Sequence, residues 1–445
     1  MKLRFAPSPT GYIHVGNCRT LLINWLFAKA NKGQFLLRLD DTDYTRSEEK
    51  YETALLEDMA WLGLDFDAYE KQSDRMDRYH IVAETLKKSG RLYPCYETTE
   101  ELEVKRKQKA AQGLPPLYDR SALKLTDAQK AAYASEGRKP HWRFLIQDDL
   151  IEWNDLIRGH IKFEGKHLGD PVLIREDGIP LYTLASVVDD MDMGITHILR
   201  GEDHLSNTAV QVQLWEAIGL SHNITFGHLS LLQGMKGEQL SKRLGTQSIR
   251  DFRAQGILPM TVNSLLGKIG TSDSVDVFSN LQSLIESFDI SKFSKATPKF
   301  SRETLEQLNT KLIHNLSFDD VKKHLQFSEI TQDFWEGVRA NLTRLDDIKT
   351  WWDVCCGDVS TFSAEEDHSF IETALSLLPE GPWEENPWTT WVDALKEKTG
   401  RKGKGLFMPL RRALTGQDHG PELKTILQLM GPARARARIE QALSK

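Results

Sequence analysis

The sequence predicts an α/β fold for the first half of the chain and a helical fold for the second. The chain opens with a strand-like segment around Leu3 and Phe5, a loop rich in proline and glycine, and a helical pattern from Val15. A second apolar run, 35–39, indicates a neighbouring buried strand. After Ile249 the apolar residues recur at helical spacing, in 260–270, 280–288 and 302–316.

Composition limits the class of protein. A chain of 445 residues is too long for one core, so about two to four domains are expected. Since no apolar run reaches about eighteen residues, we expect a cytoplasmic protein with no membrane span and no signal peptide. The cysteines form no C-x-x-C pair and no Cys/His quartet, so neither disulfides nor zinc are expected. They are Cys18, Cys95, Cys355 and Cys356.

Charge is distributed unevenly along the helical half. Although the net charge of the chain is −7, residues 351–395 hold ten acidic residues and no Lys or Arg, whereas 396–445 hold twelve basic and four acidic residues. Such polarity is typical of a protein with one surface facing phosphates. Two solvated faces of opposite sign are the alternative, and charge counts do not separate the two.

The loop before the first helix carries groups suited to a phosphate. A helix that starts near His14 offers free backbone N–H groups and a partial positive charge at its first turn. His14 and Asn17 share one face of that turn, and Gly16 leaves room for a flat ring against the backbone. A histidine beside an ordinary turn is the alternative interpretation.

Charged residues also stand at the ends of predicted strands. Strand 35–39 ends at Asp40, where open α/β sheets bind ligands, although helix capping is an alternative role for the acidic run 40–43. Arg4 and Arg200 lie at the ends of two other apolar segments. A guanidinium grips a carboxylate with a planar fork, so these arginines favour an acidic ligand. A surface arginine paired with Asp or Glu remains the alternative for either one singly.

Two later segments complete the candidate site. In 180–190, Tyr182 and Ser186 share a helical face with small Ala185, which leaves room for a small ligand between the hydroxyls. The segment 234–245 is a basic loop with glycines on both sides. A basic surface loop without a function is the alternative for this second segment.

These motifs resemble the two signatures of class I aminoacyl-tRNA synthetases. Residues 14–17 are similar to His-Ile-Gly-His, with Asn17 in place of the second His. Residues 239–243 are similar to Lys-Met-Ser-Lys-Ser, which reads Lys-Leu-Ser-Lys-Arg in glutamyl enzymes, with Gln239 in place of the first Lys. The run 38–43 resembles Arg-Ile-Glu-Asp-Thr-Asp of bacterial glutamyl-tRNA synthetases, with Asp40 in place of the Glu. The resemblance covers most of the chain.

The resemblance implies an enzyme that joins glutamate to tRNA. ATP and L-glutamate would give glutamyl-adenylate, with Mg²⁺ accompanying ATP, and a tRNA specific for Glu, or in some members also for Gln, would take the glutamyl group at its 3′ end. It implies catalytic roles for His14 and Lys242 and no metal ligands from the protein, and we expect a monomer. The implied ATP-binding residues are His14, Gly16, Asn17, Lys242 and Arg243. The implied glutamate-binding residues are Arg4, Ala6, Ser8, Asp40, Tyr182, Ser186 and Arg200, with Asp40 on the α-amino group.

The same resemblance implies the domain plan: a Rossmann-like catalytic domain with an α+β insertion, then α-helical stem-contact and anticodon-binding domains. The insertion falls where the strand–helix alternation is interrupted, and Val172–Arg175 is expected to resume the parallel sheet. The segments are 1–91 (catalytic domain, first half), 92–170 (acceptor-stem-binding insertion), 171–235 (second half), 236–300 (signature loop and stem-contact domain) and 301–445 (anticodon-binding region).

Two other functions fit part of the sequence. Asp at position 40 favours a glutaminyl-tRNA synthetase, but the anticodon region of that enzyme is all-β, whereas 301–445 here has a helical pattern. Gln239 and Asn17 favour a catalytically silent paralogue that only binds tRNA. A shortened relative that glutamylates a modified tRNA base lacks the anticodon region altogether.

Overall fold

The computed structural model describes residues 1–219, 224–238, 248–322, 325, 329–383 and 385–444. The chain divides into two compact units. The first is Met1–Gln255 with Pro259–Arg302, and the second is Gly256–Leu258 with Glu303–Lys445. In the described ranges no helix has both the length and the apolar character needed to cross a membrane. The finer division into catalytic halves, insertion and stem-contact domain stays a prediction.

The first unit contains strands and helices in alternation. Its strands are β1 (Lys2–Phe5), β2 (Gln34–Leu39), β3 (Ala68–Lys71), β4 (Leu92–Cys95), β5 (His141–Phe144), β6 (Leu150–Asp155), β7 (Gly159–Glu164), β8 (Val172–Ile174), β9 (His197–Gly201), β10 (Thr225–Leu229), β11 (Gln233–Gly234) and β12 (Lys299–Phe300). Its helices are α1 (Val15–Ala30), α2 (Glu49–Leu62), α3 (Met76–Lys88), α4 (Thr99–Ala111), α5 (Asp127–Ser135), α6 (Tyr182–Asp192), α7 (Leu205–Ala217), α8 (Ile249–Ala254), α9 (Pro259–Lys268) and α10 (Leu281–Glu286).

One mostly parallel sheet organises this unit. β1, β2 and β3 pair in parallel, and so do β9, β10 and β6, with β7 antiparallel at the edge. The two groups meet where Thr196 N donates to Lys2 O at 3.0 Å, so β9 starts beside β1. The strand order is therefore β3-β2-β1-β9-β10-β6-β7, which confirms the predicted α/β fold.

The order of the strands fixes where a ligand can bind. From β1 the chain proceeds to β2 and β3 on one side, and from β9 it proceeds to β10 on the other. β1 and β9 therefore flank the switch point of the sheet, where the following loops diverge and leave a crevice at the carboxyl ends of the strands. Helix α1 follows β1 directly and packs against β1, β2 and β9, so its N-terminus faces this crevice.

The other face of the sheet packs against α3, α6 and α7. Leu36 and its register partner Arg4 point to this face, and the apolar cluster there includes Tyr79, Val188 and Leu214, all buried. Since side chains alternate along a strand, Leu3 and Phe5 point the opposite way. Arg4 is thus directed at α6 by the pleat of β1.

A separate antiparallel sheet, β4-β5-β8, lies outside the parallel sheet. The expectation that Val172–Arg175 resumes the parallel sheet was wrong, because β8 pairs with β5. A three-residue apolar strand carries no periodicity that distinguishes one sheet from another. The hairpin β6–β7, in contrast, extends the parallel sheet through the pair Phe226 and Asp155.

The second unit is helical, as the sequence predicted for 301–445. Trp335 and Trp391 are fully buried in its core, and Trp351 is nearly so. The helices are α11 (Arg302–Asn315, whose first residue belongs to the first unit), α12 (Phe318–Val321), α13 (Gln332–Val338), α14 (Ile348–Cys356), α15 (His368–Leu377), α16 (Trp388–Thr399), α17 (Lys404–Thr415), α18 (Leu423–Met430) and α19 (Pro432–Leu443).

Two of the basic residues in the C-terminal segment serve the unit's own backbone. Arg434 donates to the carbonyl oxygen of Cys355 at 3.0 Å, and Arg438 donates to that of Gly357 at 2.6 Å. These carbonyls lie at the carboxyl end of α14, where the helix dipole favours a cation. The count of basic residues in 396–445 therefore overstates the charge available to a phosphate partner.

Candidate active site

A cavity of about 660 Å³ opens at the switch point of the sheet. The loops after β1, β2, β9 and β10 line it together with the first turn of α1 and the start of α6. Most of the predicted site residues are brought together there. They are Arg4, Ala6, Ser8, His14, Gly16, Asn17, Asp40, Tyr182 and Arg200.

Three of the predicted positions are not in this set. Lys242 and Arg243 lie outside the described residues. Gln239, which belongs to the second signature but was not predicted as a site residue, also lies outside them. Ser186 is fully buried and does not line the cavity, because the second turn of α6 directs it into the protein. Its hydroxyl has no hydrogen-bond partner in the described part of the chain.

His14 is the N-cap of α1. Its Nδ1 accepts from the backbone N–H of Gly16 at 3.1 Å and of Asn17 at 3.4 Å. Because Nδ1 is an acceptor here, the proton of the neutral ring is on Nε2, which can donate. A Cβ on Gly16 would lie 3.2 Å from Cε1 of His14, so the glycine lets the ring lie against the helix, as the sequence indicated. The cap also occupies two of the N–H groups that were expected to face a phosphate.

The second signature lies outside the described residues, but residues near it on both sides approach the first signature. Six residues before it, Gln233 lines the cavity. After it, Ser248 forms an isolated bridge with His14, which lines the cavity, and Ile249 N donates to Ile13 O at 3.1 Å.

A buried group of charges forms the floor of the site. Arg4 donates through Nε to Asp190 Oδ1 at 2.9 Å, and Arg38 donates through Nη1 to the same oxygen at 2.8 Å. Arg38 also donates through Nε to Asp40 Oδ1 at 2.7 Å. These four side chains are between 0% and 6% exposed, so each charge is compensated inside the protein.

The two carboxylates of this group differ in protonation. Burial alone would raise the pKa of Asp190, but Arg4 and Arg38 hold it below its usual range. Burial raises the pKa of Asp40 to about 6, against the opposing effect of Arg38. Asp190 is therefore a fixed anion, whereas the charge of Asp40 changes close to neutral pH.

Arg200 has a different environment. It is 6% exposed, and it donates to the hydroxyl of Tyr182 at 2.9 Å and to Thr208 and Gln211 at 2.6 Å each. No carboxylate of the described residues lies within ion-pair distance of it. Two of its five N–H groups have no partner among the described residues, one on Nη1 and one on Nε, and the Nε atom is buried. Burial lowers the pKa of Arg200, as expected for a cation that has no anion in direct contact.

Sequence reasoning missed several residues of the site. Asp190 contacts Arg4 from 186 residues away in the chain, whereas Thr208 and Gln211 contact Arg200 from 8 and 11 residues away, and no local motif marks any of the three. Arg19 also lines the cavity and donates to Ser230 O at 2.7 Å and Ile269 O at 3.2 Å. Its place one turn after the first signature was the available signal, because a charged residue on an otherwise apolar helix is unusual.

The cavity offers no set of metal ligands. Among the described residues no group of three or more His, Cys, Asp or Glu side chains could hold a metal ion. The two lining carboxylates are Asp40, which is bound to Arg38, and Asp203. A parallel sheet with a helix N-terminus and buried arginines at its switch point is typical of α/β enzymes that bind nucleotides and other anions.

Comparison with known proteins agrees with this class. Residues 1–307 match the family model of the catalytic domain of class I tRNA synthetases (E and Q), and residues 319–443 match an anticodon-binding domain. A glutamate–tRNA ligase of Azospirillum brasilense is 52% identical over 98% of both chains. Glutamate–tRNA ligase 2 of Gluconobacter oxydans is 49% identical over the full length of both. The crystal structure of a glutamate–tRNA ligase from Elizabethkingia meningosepticum in complex with its amino acid superposes with a TM-score of 0.85 at 27% identity, over 100% of this chain and 99% of that one.

The chain therefore belongs to the class I tRNA synthetases of the E and Q group, which are aminoacyl-tRNA ligases. Enzymes of this kind use ATP. The predicted family, fold and enzyme class are confirmed. The individual roles of the site residues remain predictions.

The cap formed by His14 can be separated from its other contacts. His14→Ala removes the acceptor at the N-cap and is expected to destabilise the first unit by about 1 kcal/mol, a shift of about 2 °C or more in the unfolding midpoint. His14→Asn keeps an N-cap acceptor and should unfold close to the wild type. Thermal unfolding of the three proteins measures this. Equal midpoints for the Ala and Asn variants would contradict the capping role.

Proposed function

We propose that this chain is a glutamate–tRNA ligase, which activates L-glutamate with ATP and transfers it to the 3′ end of tRNA specific for Glu. The names of its relatives support this, since proteins about half identical over the full length are named glutamate–tRNA ligases. The preference for glutamate as the amino acid is inferred from one observation. The guanidinium of Arg200 is buried and has no anionic partner in contact with it among the described residues.

The charge balance of the cavity favours glutamate over glutamine. Asp190 compensates Arg4, and Arg38 compensates Asp40, so the positive charge of Arg200 remains. Glutamate carries one negative charge more than glutamine and would neutralise it. Glutamine would leave a charged donor under-paired, at a cost of roughly 2–3 kcal/mol, or about fiftyfold in selectivity.

The contacts and the family resemblance support the other roles that we propose in the amino-acid pocket. Arg200 and the Nη1 group of Arg4 bind the side-chain carboxylate, with Tyr182 beside Arg200. Asp40 binds the α-amino group. Ala6 and Ser8, in the loop after β1, form the adjacent wall. Ser186 is left out of this set because it does not reach the cavity.

ATP is proposed to bind beside the first turn of α1. Nε2 of His14 donates to a phosphate, while Gly16 and Asn17 lie against the nucleotide. Lys242 and Arg243 are proposed to supply positive charge, since Ser248, which follows their segment, is bridged to His14 of this cavity. Mg²⁺ would neutralise phosphate charge, and it would be held largely by ATP and water, because the protein offers no ligand cluster in the described residues.

The chemistry needs positioning and charge rather than a protein nucleophile. A carboxylate oxygen of glutamate attacks the α-phosphorus, and pyrophosphate leaves. A hydroxyl of the terminal adenosine of tRNA then attacks the carbonyl carbon of the adenylate, and AMP leaves. The protein aligns the reactants and stabilises the negative charge on the phosphates, and removing one donor of this kind costs about 3–4 kcal/mol.

The tRNA is proposed to contact the second unit with its anticodon, since that unit matches an anticodon-binding domain. The expected monomeric state and cytoplasmic location stay predictions. A silent tRNA-binding paralogue is the second candidate, favoured by Gln239 in the second signature. Its distinguishing property would be tRNA binding without adenylate formation.

Aminoacylation assays test the proposal. Purified tRNA specific for Glu should be charged with glutamate, and glutamine should be used at least about fiftyfold less efficiently. Pyrophosphate exchange with glutamate, with and without tRNA, measures the activation step. tRNA specific for Gln, assayed in parallel, shows whether that tRNA is also a substrate. No exchange with tRNA present would favour the silent paralogue.

Lys242 is expected to act on the phosphates. Lys242→Ala should lower kcat of glutamate activation by about a hundredfold to a thousandfold, because it removes a charge that stabilises the transition state. Lys242→Arg is the matched control, since it keeps the charge and should retain more activity than the Ala variant. Full activity of Lys242→Ala in the exchange assay would refute this role.

Glutamate binding should depend on pH through Asp40. Its pKa of about 6 means that the carboxylate is protonated as the pH falls below about 6, and the attraction for the α-ammonium group is then lost. We expect KM for glutamate to rise about tenfold per pH unit below that point. Asp40→Asn should show a high KM with no such dependence. Burial lowers the pKa of His204, which also lines the cavity, to about 4, so its protonation falls outside this window.

A further inference from the structure

A buried row of side chains lies behind Arg200. Nη2 of Arg200 is 2.6 Å from the hydroxyl of Thr208, and that hydroxyl is 2.8 Å from Nε2 of His228. Nδ1 of His228 is in turn 2.5 Å from Oδ2 of Asp155. Thr208 and His228 are fully buried, and Asp155 is 5% exposed. The row runs from the cavity wall to the end of β6 and crosses α7 and β10.

The shorter hydrogen bonds of this row share one direction. Asp155 accepts from Nδ1–H of His228, so Nε2 of the neutral ring is the acceptor for the hydroxyl of Thr208 at 2.8 Å. The carbonyl oxygen of His204, at 3.2 Å, is a second and longer acceptor for the same hydroxyl. The oxygen of Thr208 is then left to accept from Arg200. Burial lowers the pKa of His228, against the opposing effect of Asp155, so the ring is neutral at neutral pH.

The far end of the row is firmly held. Oδ1 of Asp155 accepts from the backbone N–H groups of Ile157, Arg158 and His228, at 3.0, 2.9 and 3.1 Å. Burial would raise the pKa of Asp155, but the hydrogen bonds from His228 and from these N–H groups keep it low. A fixed carboxylate at this end orients the imidazole of His228, whose Nε2 then offers Thr208 its shorter acceptor.

The other neutral partner of the same nitrogen is less restrained. Gln211 accepts from Arg200 at 2.6 Å, but its Nε2 has no partner among the residues that the structure describes. The oxygen of Thr208, in contrast, is oriented from both sides. The hydroxyl is therefore the better-defined contact of the Arg200 guanidinium.

We propose that Thr208, His228 and Asp155 are positioning residues for amino-acid recognition: they orient the guanidinium of Arg200 so that its remaining Nη1 N–H group faces the side-chain carboxylate of the substrate. The inference rests on the proposed function. A ligand carboxylate gains most from an arginine whose donors are already directed at it, because less freedom is lost on binding.

The row also has a simpler explanation, in which Asp155 and His228 only fasten the β6–β7 hairpin to β10. The two explanations differ in what Thr208 does. If Asp155 and His228 only hold the hairpin to β10, substituting them should destabilise the protein in general without a selective effect on KM for glutamate. A positioning role passes through the Thr208 hydroxyl.

The experiment compares variants of the full chain in aminoacylation of tRNA specific for Glu. Thr208→Val is isosteric and removes the hydroxyl, whereas Thr208→Ser keeps it and is the matched control. We expect Thr208→Val to raise KM for glutamate about tenfold or more, with KM for ATP unchanged, and Thr208→Ser to remain within about twofold of the wild type. Equal KM values for glutamate in the Val and Ser variants would overturn the inference.

A double variant separates positioning from fastening. His228→Phe should raise KM for glutamate when Thr208 is present and should add no further increase in the Thr208→Val background, because its effect passes through that hydroxyl. Effects that multiply in the double variant would overturn the inference. If His228→Phe does not fold, as judged by thermal unfolding, the comparison of Thr208→Val with Thr208→Ser decides alone.

A wild type that fails to charge glutamate refutes the proposed function, and this inference with it. A wild type that charges glutamate, with variants that depart from these patterns, refutes the inference alone.

Discussion

The site depends on one carboxylate, that of Asp190, held between two guanidinium groups. Arg4 comes from β1 and Arg38 from β2, and both donate to Asp190 on α6, which is fully buried. Removing a member of such a group leaves a buried charge uncompensated, at a cost of about 3–5 kcal/mol. The contact therefore fixes α6 against the carboxyl ends of two neighbouring strands. The start of α6, with Tyr182, is placed at the cavity by the same constraint.

The compensation inside this group determines the electrostatics of the cavity. Since Arg4 and Arg38 are paired with carboxylates, neither adds a full positive charge to the site. Arg200 is surrounded by a phenol, a hydroxyl and an amide, which are neutral acceptors. They accept from three of its five N–H groups without cancelling its charge. The proposed preference for an acidic side chain rests on which arginine lacks a contacting anion and not on the number of arginines present.

The features that were predicted from the sequence are those determined within short segments of the chain. The helix start near His14, the acidic residue after β2 and the arginine in β9 follow from helical spacing, strand ends and apolar runs, which are properties of short segments. The capping role of His14 did not follow. The partners of those residues did not follow. Asp190 is 186 residues from Arg4, and no periodicity joins them. The failure at β8 has the same cause, because strand pairing is decided by tertiary contacts that a short apolar run does not encode.

The shorter acid at position 40 has a structural consequence that the sequence alone did not reveal. The family element has Glu where this chain has Asp40, and here the carboxylate is held by Arg38, two residues before it in the chain. One methylene less keeps the charge against the floor of the cavity, where burial raises its pKa to about 6. A longer side chain would extend the carboxylate farther from Arg38 and toward solvent, where a carboxylate keeps its ordinary pKa. If Asp40 binds the α-amino group as proposed, that contact should depend on pH more strongly than it would with Glu at the same position.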